Sequence, residues 1–238
     1  PDFINEINKK KYTTDSREQI SLIKVNSEDL PQKTVFDTLQ YRRSIRNFSN
    51  SKISFLQLSA LLQYSLLNND MLDYSIDNEL IRNKSSMLFP YPLAGGIRCL
   101  NVYIVIKNVE NIPVALYKYN DEDHALIYVK DFNNNSINEF TLCESLSENC
   151  SLVVYVTGDL RKLEYKYGSR AYRFMNLSAG HLAQNIYLAG NSLGLGVVAS
   201  GGFKDVNIIS YINDEECKYI LYEIFVGNVN INANDPRL

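Results

Sequence analysis

The sequence predicts an α+β fold rather than a doubly wound parallel one. Strand-like segments interleave with helical patterns along the chain, as in mixed folds. Two of the strand-like segments, 115–119 and 125–129, flank the polar stretch 120–124 and predict a β-hairpin. A hairpin joins antiparallel neighbours, which a doubly wound parallel sheet does not require.

Two helices are predicted from their ends and their periodicity. Ser54 and Gln57 fit a capping box at the start of the first helix, which continues to residue 66. The second helix is amphipathic, spans 173–192 and ends before Gly194. A shorter helix is expected around residues 35–39. Further strands are predicted at 102–106, 152–157, 197–200 and 220–226.

Composition limits the classes of protein that the chain represents. With 238 residues, 45% of them hydrophobic, the chain can bury the core of one large domain or two modest ones. A net charge of -3 argues against a nucleic-acid surface. No apolar run approaches the roughly 18 residues of a membrane span, and no signal peptide is evident, so a cytoplasmic protein is expected.

The expected organisation is a polar segment at residues 1–31 followed by one domain at 32–238. Residues 68–89 are polar and rich in Asn, and they predict a surface excursion. The first residue is Pro1 rather than Met, so we expect a longer natural chain.

The cysteines and histidines do not predict a metal site. None of the four cysteines forms a Cys-x-x-Cys pair, so they are expected to be reduced core thiols. Only two histidines are present. His124 is expected to be exposed at the hairpin tip. His181 is expected to be half-buried on the amphipathic helix.

An arginine cluster precedes the capped helix. Within five positions it holds Arg42, Arg43, Ser44 and Arg46. In an extended segment alternate side chains share a face, so Arg42, Ser44 and Arg46 are placed to meet one anion. Guanidinium groups are planar, charged and bidentate, which suits a phosphate. The cluster is therefore a candidate anchor for a phosphorylated cofactor, and the alternative is a solvated basic loop.

Two glycine-containing segments give access to the backbone. The first comprises Pro92, Leu93, Ala94, Gly95 and Gly96, and the second comprises Gly201 and Gly202. Because glycine has no Cβ, backbone N–H groups in such segments can approach a flat ring closely. The alternative for the first segment is an ordinary tight turn before a strand.

Two other motifs each have a functional and a structural interpretation. Residues 194–199 match the dinucleotide fingerprint G-x-G-x-x-A, but the match is rejected because the motif follows a helix and enters a strand. Lys166 and Tyr167 form a candidate proton-transfer pair beside an electron-accepting cofactor. The alternative for that pair is a solvated basic turn. Together, the arginine cluster, the two glycine segments and this pair favour a flat, phosphorylated cofactor such as FMN over a dinucleotide.

In their order along the chain, these motifs resemble the nitroreductase-like flavoproteins, in particular the SagB-type or McbC-like azoline dehydrogenases. The resemblance runs from about residue 41 to residue 229. It is carried by segments 42–46, 91–96, 116–119, 166–174, 180–188 and 194–203.

The resemblance implies an α+β homodimer with a mostly antiparallel sheet flanked by helices and FMN at the subunit interface. It implies that Arg42, Arg43, Ser44 and Arg46 hold the phosphate and ribityl chain. Residues 92–96 would line one edge of the flavin ring, and Gly201 and Gly202 would approach its N5 and O4 atoms. Gln184 would lie on the helix beneath the cofactor. Lys166 and Tyr167 match a catalytic pair, whereas Leu93 stands where the family commonly has a serine.

The implied activity is oxidation of thiazoline or oxazoline rings to thiazoles or oxazoles in a ribosomally made peptide. The partners would be a precursor peptide and a cyclodehydratase. Two alternatives remain: an NAD(P)H-dependent reductase of nitro compounds, quinones or dehydroamino acids, and a flavin-containing scaffold of a peptide-modifying complex.

Overall fold

The computed structural model describes residues 19–67 and 89–230. The predicted excursion at 68–89 lies outside these ranges except for its last residue. The described strands are β1 Gln19–Ser21, β2 Leu100–Ile106, β3 Ala115–Asn120, β4 Ala125–Asp131, β5 Leu152–Gly158, β6 Leu195–Ser200 and β7 Tyr219–Asn228. The described α-helices are α1 Val35–Tyr41, α2 Phe55–Leu66, α3 Glu144–Ser147, α4 Arg161–Tyr167, α5 Ala171–Ser192 and α6 Asp205–Ile212.

The seven described strands form one sheet in the order β1-β4-β3-β2-β5-β7-β6. Every neighbouring pair is antiparallel. The predicted hairpin is β3–β4, in which Asn120 pairs with Ala125. The prediction of an α+β fold with an antiparallel sheet flanked by helices is therefore confirmed.

The sheet separates two groups of buried side chains. Successive residues of a strand point to opposite faces. In β2, Val102 and Ile104 accordingly face the larger cluster, whereas Tyr103 and Val105 face the smaller one. Helices α2 and α5 cover the larger cluster, and α6 contributes to the smaller one.

The two predicted helix ends are confirmed. Ser54 and Gln57 form the capping box of α2, with both reciprocal hydrogen bonds at 3.1 Å. Helix α5 ends at Ser192, and Gly194 has the positive φ of 75° that a chain reversal there requires. Strand β6 begins at Leu195, so residues 194–199 follow a helix and run into a strand, the opposite of the order that a dinucleotide fingerprint requires.

The structure adds elements that the sequence patterns did not predict, namely β1, α3, α4 and α6. Strand β1 pairs with β4, and Leu22 and Val25 are buried in the larger cluster. Part of the polar segment assigned to residues 1–31 therefore packs against the domain that was expected to begin at residue 32.

Both histidine predictions were wrong. His124 is buried because residues 19–25 cover the hairpin, and its imidazole bonds Tyr119 Oη (2.8 Å) and the carbonyl of Ile23 (3.1 Å). His181 is exposed because its position on α5 faces away from the sheet.

No helix among the described residues is long and apolar enough to cross a membrane. Within the same ranges, no three His, Cys, Asp or Glu side chains are grouped as metal ligands would be.

Candidate active site

Tyr187 of α5 anchors the arginine cluster to the sheet. Its hydroxyl accepts the backbone N–H of Ala199 (2.7 Å) and lies 3.1 Å from Ser44 Oγ. The guanidinium carbon of Arg42 lies 5.2 Å from the centre of the Tyr187 ring, within cation–π range. In addition, the N–H of Ile45 donates to the carbonyl of Val197 in β6 (3.1 Å). The residue 42–45 segment is therefore held between α5 and the edge strand β6.

The arginines of the cluster do not all point the same way. Arg43 turns back and donates to the carbonyls of Gln40 (2.9 Å) and Arg42 (2.8 Å). Arg46 donates to the carbonyl of Ser44 at 3.3 Å. Arg42 and Ser44 are thus brought together at Tyr187, whereas Arg43 is engaged at the end of α1.

A row of polar side chains on α5 holds the loop at residues 90–96. Ser178 Oγ accepts the N–H of Ala94 (3.3 Å), and Asn185 Nδ2 donates to the carbonyl of Pro90 (2.6 Å). His181 Nδ1 lies 3.2 Å from the carbonyl of Pro92. Because residues spaced by three or four positions share a helix face, this row fixes the loop along one side of α5.

Lys166 and Tyr167 lie over Gly95 of that loop. A Cβ built at Gly95 would lie 2.7 Å from Lys166 Nζ and would overlap Tyr167 Oη. Gly95 and Gly96 also have positive φ angles of 61° and 68°, which favour glycine. The Tyr167 ring packs on Phe174 of α5, with 4.6 Å between ring centres. The structure therefore brings the predicted proton-transfer pair to the first glycine segment.

The second glycine segment forms a turn after β6. The N–H of Gly202 donates to Ser200 Oγ (2.9 Å), and the carbonyl of Gly202 accepts the N–H of Leu142 (2.8 Å). The Gly202 N–H, which the resemblance assigned to a ligand, is thus already engaged within the turn.

Gln184 is exposed on α5, three residues before Tyr187, so the two side chains are neighbours on the helix surface. A separate groove of 570 Å³ lies between α1, α2 and α5. Its lining includes Thr38, Tyr64 and Leu188, and none of the predicted site residues lines it.

Tyr187, Ser178 and Glu223, a buried acid of β7, were not predicted from the sequence. Ser178, His181 and Asn185 recur at spacings of three and four residues, so a search for polar rows on predicted helices would have found them. Glu223 gave no such signal. It is a single acid inside a strand that otherwise reads as apolar.

Residues 39–228 match the family model described as the nitroreductase family, in agreement with this geometry. The chain belongs to the nitroreductase family. It is 25% identical over 203 residues to a Methanocaldococcus jannaschii protein assigned to the nitroreductases, a match that covers 85% of this chain and 96% of that protein.

Solved structures share the fold of this nitroreductase-family chain. A nitroreductase-type protein of Anabaena variabilis superposes with a TM-score of 0.74 at 24% identity, covering 92% of this chain but 43% of that one. The chain therefore spans less than half the length of the Anabaena protein.

A chain of the Escherichia coli microcin synthetase McbBCD complex, solved with truncated pro-MccB17 bound, gives a TM-score of 0.64 at 21% identity. The match covers 95% of this chain and 80% of that one. A nitroreductase-type protein of Desulfovibrio desulfuricans, solved in complex with FMN, gives 0.56 at 14% identity over 87% of this chain and 92% of that one.

Proposed function

We propose that this chain is an FMN-dependent oxidoreductase. Arg42 and Ser44 place a guanidinium group and a hydroxyl beside Tyr187, and Arg46, which donates to the Ser44 carbonyl, adds a second guanidinium to the segment. Such a donor set suits a phosphate. Gly96 leaves the backbone open, because no described atom lies within 4 Å of a Cβ built there, and Lys166 and Tyr167 cover the neighbouring Gly95. Membership of the nitroreductase family and the FMN complex of the Desulfovibrio protein support the same cofactor.

We further propose that the reaction is the dehydrogenation of an azoline ring in a modified peptide. The observation that carries this proposal is the position of Lys166 and Tyr167 over Gly95. Conversion of an azoline to an azole removes one hydride and one proton. FMN, when bound, would supply the hydride acceptor. Lys166 or Tyr167 would take the proton from the ring carbon, which requires a base within hydrogen-bonding reach.

The likeness to the microcin synthetase chain supports a peptide substrate and a cyclodehydratase partner. A homodimer is proposed on the family resemblance and on the surface of α1. In the absence of a partner, Val35, Phe36 and Leu39 are 69%, 82% and 52% exposed. Large apolar side chains grouped on one helix are typical of an interface. Light scattering should therefore give twice the mass of one chain.

The double variant Lys166→Ala/Tyr167→Phe tests the proposed chemistry. We expect it to bind FMN but to lose ring oxidation by about 100-fold or more, the usual contribution of a positioned acid–base group. Peptide mass spectrometry would detect the loss of two hydrogens per ring. Tyr165→Phe, an exposed tyrosine of the same helix, is the matched control and should retain turnover. Wild-type turnover in the double variant would contradict the assignment.

An NAD(P)H-dependent reductase is the second candidate, and membership of the nitroreductase family favours it. Anaerobic mixing separates the two reactions. Rapid bleaching of the bound flavin by NADPH indicates a reductase, whereas bleaching by an azoline peptide alone indicates the dehydrogenase. A flavin-containing scaffold would respond to neither reagent while still binding its partners.

A further inference from the structure

A buried acid lies behind the Gly201–Gly202 turn. Glu223 of β7 is 0% exposed and is the ladder partner of Ser200, whose hydroxyl accepts the Gly202 N–H. Directly paired residues of antiparallel strands lie on the same face of the sheet. The Glu223 side chain and the Ser200 hydroxyl are therefore on the face over which the turn folds.

Thr141 connects Glu223 to the turn. Its hydroxyl donates to Glu223 Oε2 (2.8 Å) and accepts the N–H of Cys143 (2.8 Å). Between these two residues, Leu142 donates its N–H to the carbonyl of Gly202. Thr141 also forms an antiparallel bridge with Phe203, just after the turn. One hydrogen-bonded segment, residues 141–143, thus contacts both the acid and the turn.

The hydrogen bonds that Glu223 receives from side chains come from hydroxyls. Thr141 donates to one carboxyl oxygen, and Tyr155 Oη donates to the other at 3.0 Å. None of the ion pairs among the described residues includes Glu223. Burial without a cation disfavours the charged form, and it raises the pKa of Glu223 to about 7 despite these two bonds.

Two titratable groups near Glu223, Tyr155 and Cys150, also have raised pKa values. Burial and the nearby Glu223 raise the pKa of Tyr155 well above its usual value. Burial raises the pKa of Cys150 to about 11, although Lys107 lies 3.9 Å from its sulfur. Cys143 lies on the far side of Thr141, next to Ser200 (3.2 Å). Helix α6 packs Ile208, Ile212 and Tyr211 into the smaller buried cluster, which also contains Tyr155 and Cys150.

We propose that Glu223 is a positioning residue that makes the Gly201–Gly202 turn sensitive to pH, by placing a negative charge behind the turn when it is ionised. In a low-dielectric interior such a charge acts strongly on a nearby ligand. The inference rests on the proposed function, because it places a redox-active ring at the turn. An ionised Glu223 disfavours added negative charge on that ring, and a protonated Glu223 does not.

The test is the midpoint potential of the bound flavin as a function of pH. Wild type and Glu223→Gln, both loaded with FMN, would be titrated from about pH 5.5 to about pH 8.5, a range that spans the ionisation of the acid. The potentials should coincide at the acid end. At the alkaline end the potential of the Gln variant should be shifted to a higher value. A difference that is the same at every pH, or is absent, would overturn the inference.

Tyr155→Phe provides a second, independent measurement. It removes a hydrogen bond that favours the charged carboxyl, so the pH at which the potential changes slope should move upward. If Glu223→Gln does not fold, this variant decides alone, and an unmoved change of slope would overturn the inference. Glu144→Gln, an exposed acid beside Cys143, is the control and should match wild type. If wild type takes up no FMN, the proposed function and this inference both fail, whereas pH-independent differences remove the inference alone.

Discussion

Gly95 combines two separate constraints, and Gly96 has only one of them. Both residues have positive φ angles, so any side chain at either position is strained. A Cβ at Gly95 would also meet Lys166 and Tyr167, whereas no described atom lies within 4 Å of a Cβ built at Gly96. Comparing the same substitution at the two positions therefore separates the effect of backbone strain from the effect of displacing Lys166 and Tyr167.

Gly95→Ala and Gly96→Ala should each lower the free energy of unfolding by about 1–3 kcal/mol, as measured by urea denaturation. The atoms that meet the new methyl group at position 95 are the ends of flexible side chains, so the pair should move aside without unfolding the protein. Turnover should therefore fall further in Gly95→Ala than in Gly96→Ala. Equal turnover in the two variants would contradict the placement of the pair.

His124 should make the stability of the fold depend on pH. Burial lowers the pKa of His124 to about 4, below the value of about 6.5 in an unfolded chain. Between these pH values the histidine is protonated in the unfolded chain but neutral in the folded chain. The free energy of unfolding therefore falls as the pH falls from about 6.5 to about 4. The loss would amount to at most about 3.5 kcal/mol, at about 1.4 kcal/mol for each tenfold change in proton affinity.

Urea denaturation of wild type and His124→Gln at several pH values would measure this contribution. Glu223 is present in both proteins, so its opposite effect, a loss of stability as the pH rises through about 7, cancels in the comparison. His181→Gln removes an exposed histidine and should keep the wild-type dependence. The same dependence in His124→Gln would show that another group is responsible.

At the level of elements, Tyr187 joins the arginine segment, α5 and β6 through one hydroxyl. Tyr187→Phe should leave the Ala199 N–H without its acceptor and lower the free energy of unfolding by about 1–3 kcal/mol. FMN affinity should fall as well, because Ser44 loses its hydrogen-bond partner, whereas the ring beneath Arg42 is kept.

Tyr211→Phe is the control for this prediction, since it also removes a hydrogen-bonded hydroxyl, but from α6 (2.6 Å to the Asp131 carbonyl). It should leave FMN affinity unchanged. Denaturation curves and flavin titrations of the two variants would be compared. If FMN affinity falls by the same factor in both variants, Tyr187 has no special role at the site.

The elements that were predictable from sequence carry their own local signals. Helix α2 has a capping box, α5 has a long amphipathic period and the β3–β4 hairpin has a turn-rich centre. Strand β1 has only three residues and is stabilised by pairing with β4, so its signal is not local. The burial of His124 follows from that pairing and was missed for the same reason.

At the level of the whole molecule, the fold class followed from the sequence but the strand order did not. The order β1-β4-β3-β2-β5-β7-β6 places β7 between β5 and the edge strand β6, through pairings between residues far apart in sequence. Those pairings bring the Gly201–Gly202 turn, Thr141 and Glu223 together. The two glycines stand out in the sequence, whereas Thr141 and Glu223 do not, and only the folded sheet makes them neighbours.

The central claim is that one FMN is bound by each chain, with its phosphate at the segment containing Arg42, Ser44 and Arg46. The most direct measurement is a calorimetric titration of the cofactor-free protein with FMN, alongside the double variant Arg42→Gln/Arg46→Gln. We predict one FMN per chain in wild type and at least about a tenfold loss of affinity in the variant, since charge-assisted bonds contribute about 1.5–3 kcal/mol each. Wild-type protein that is colourless when purified and gives no binding signal with FMN would contradict the account.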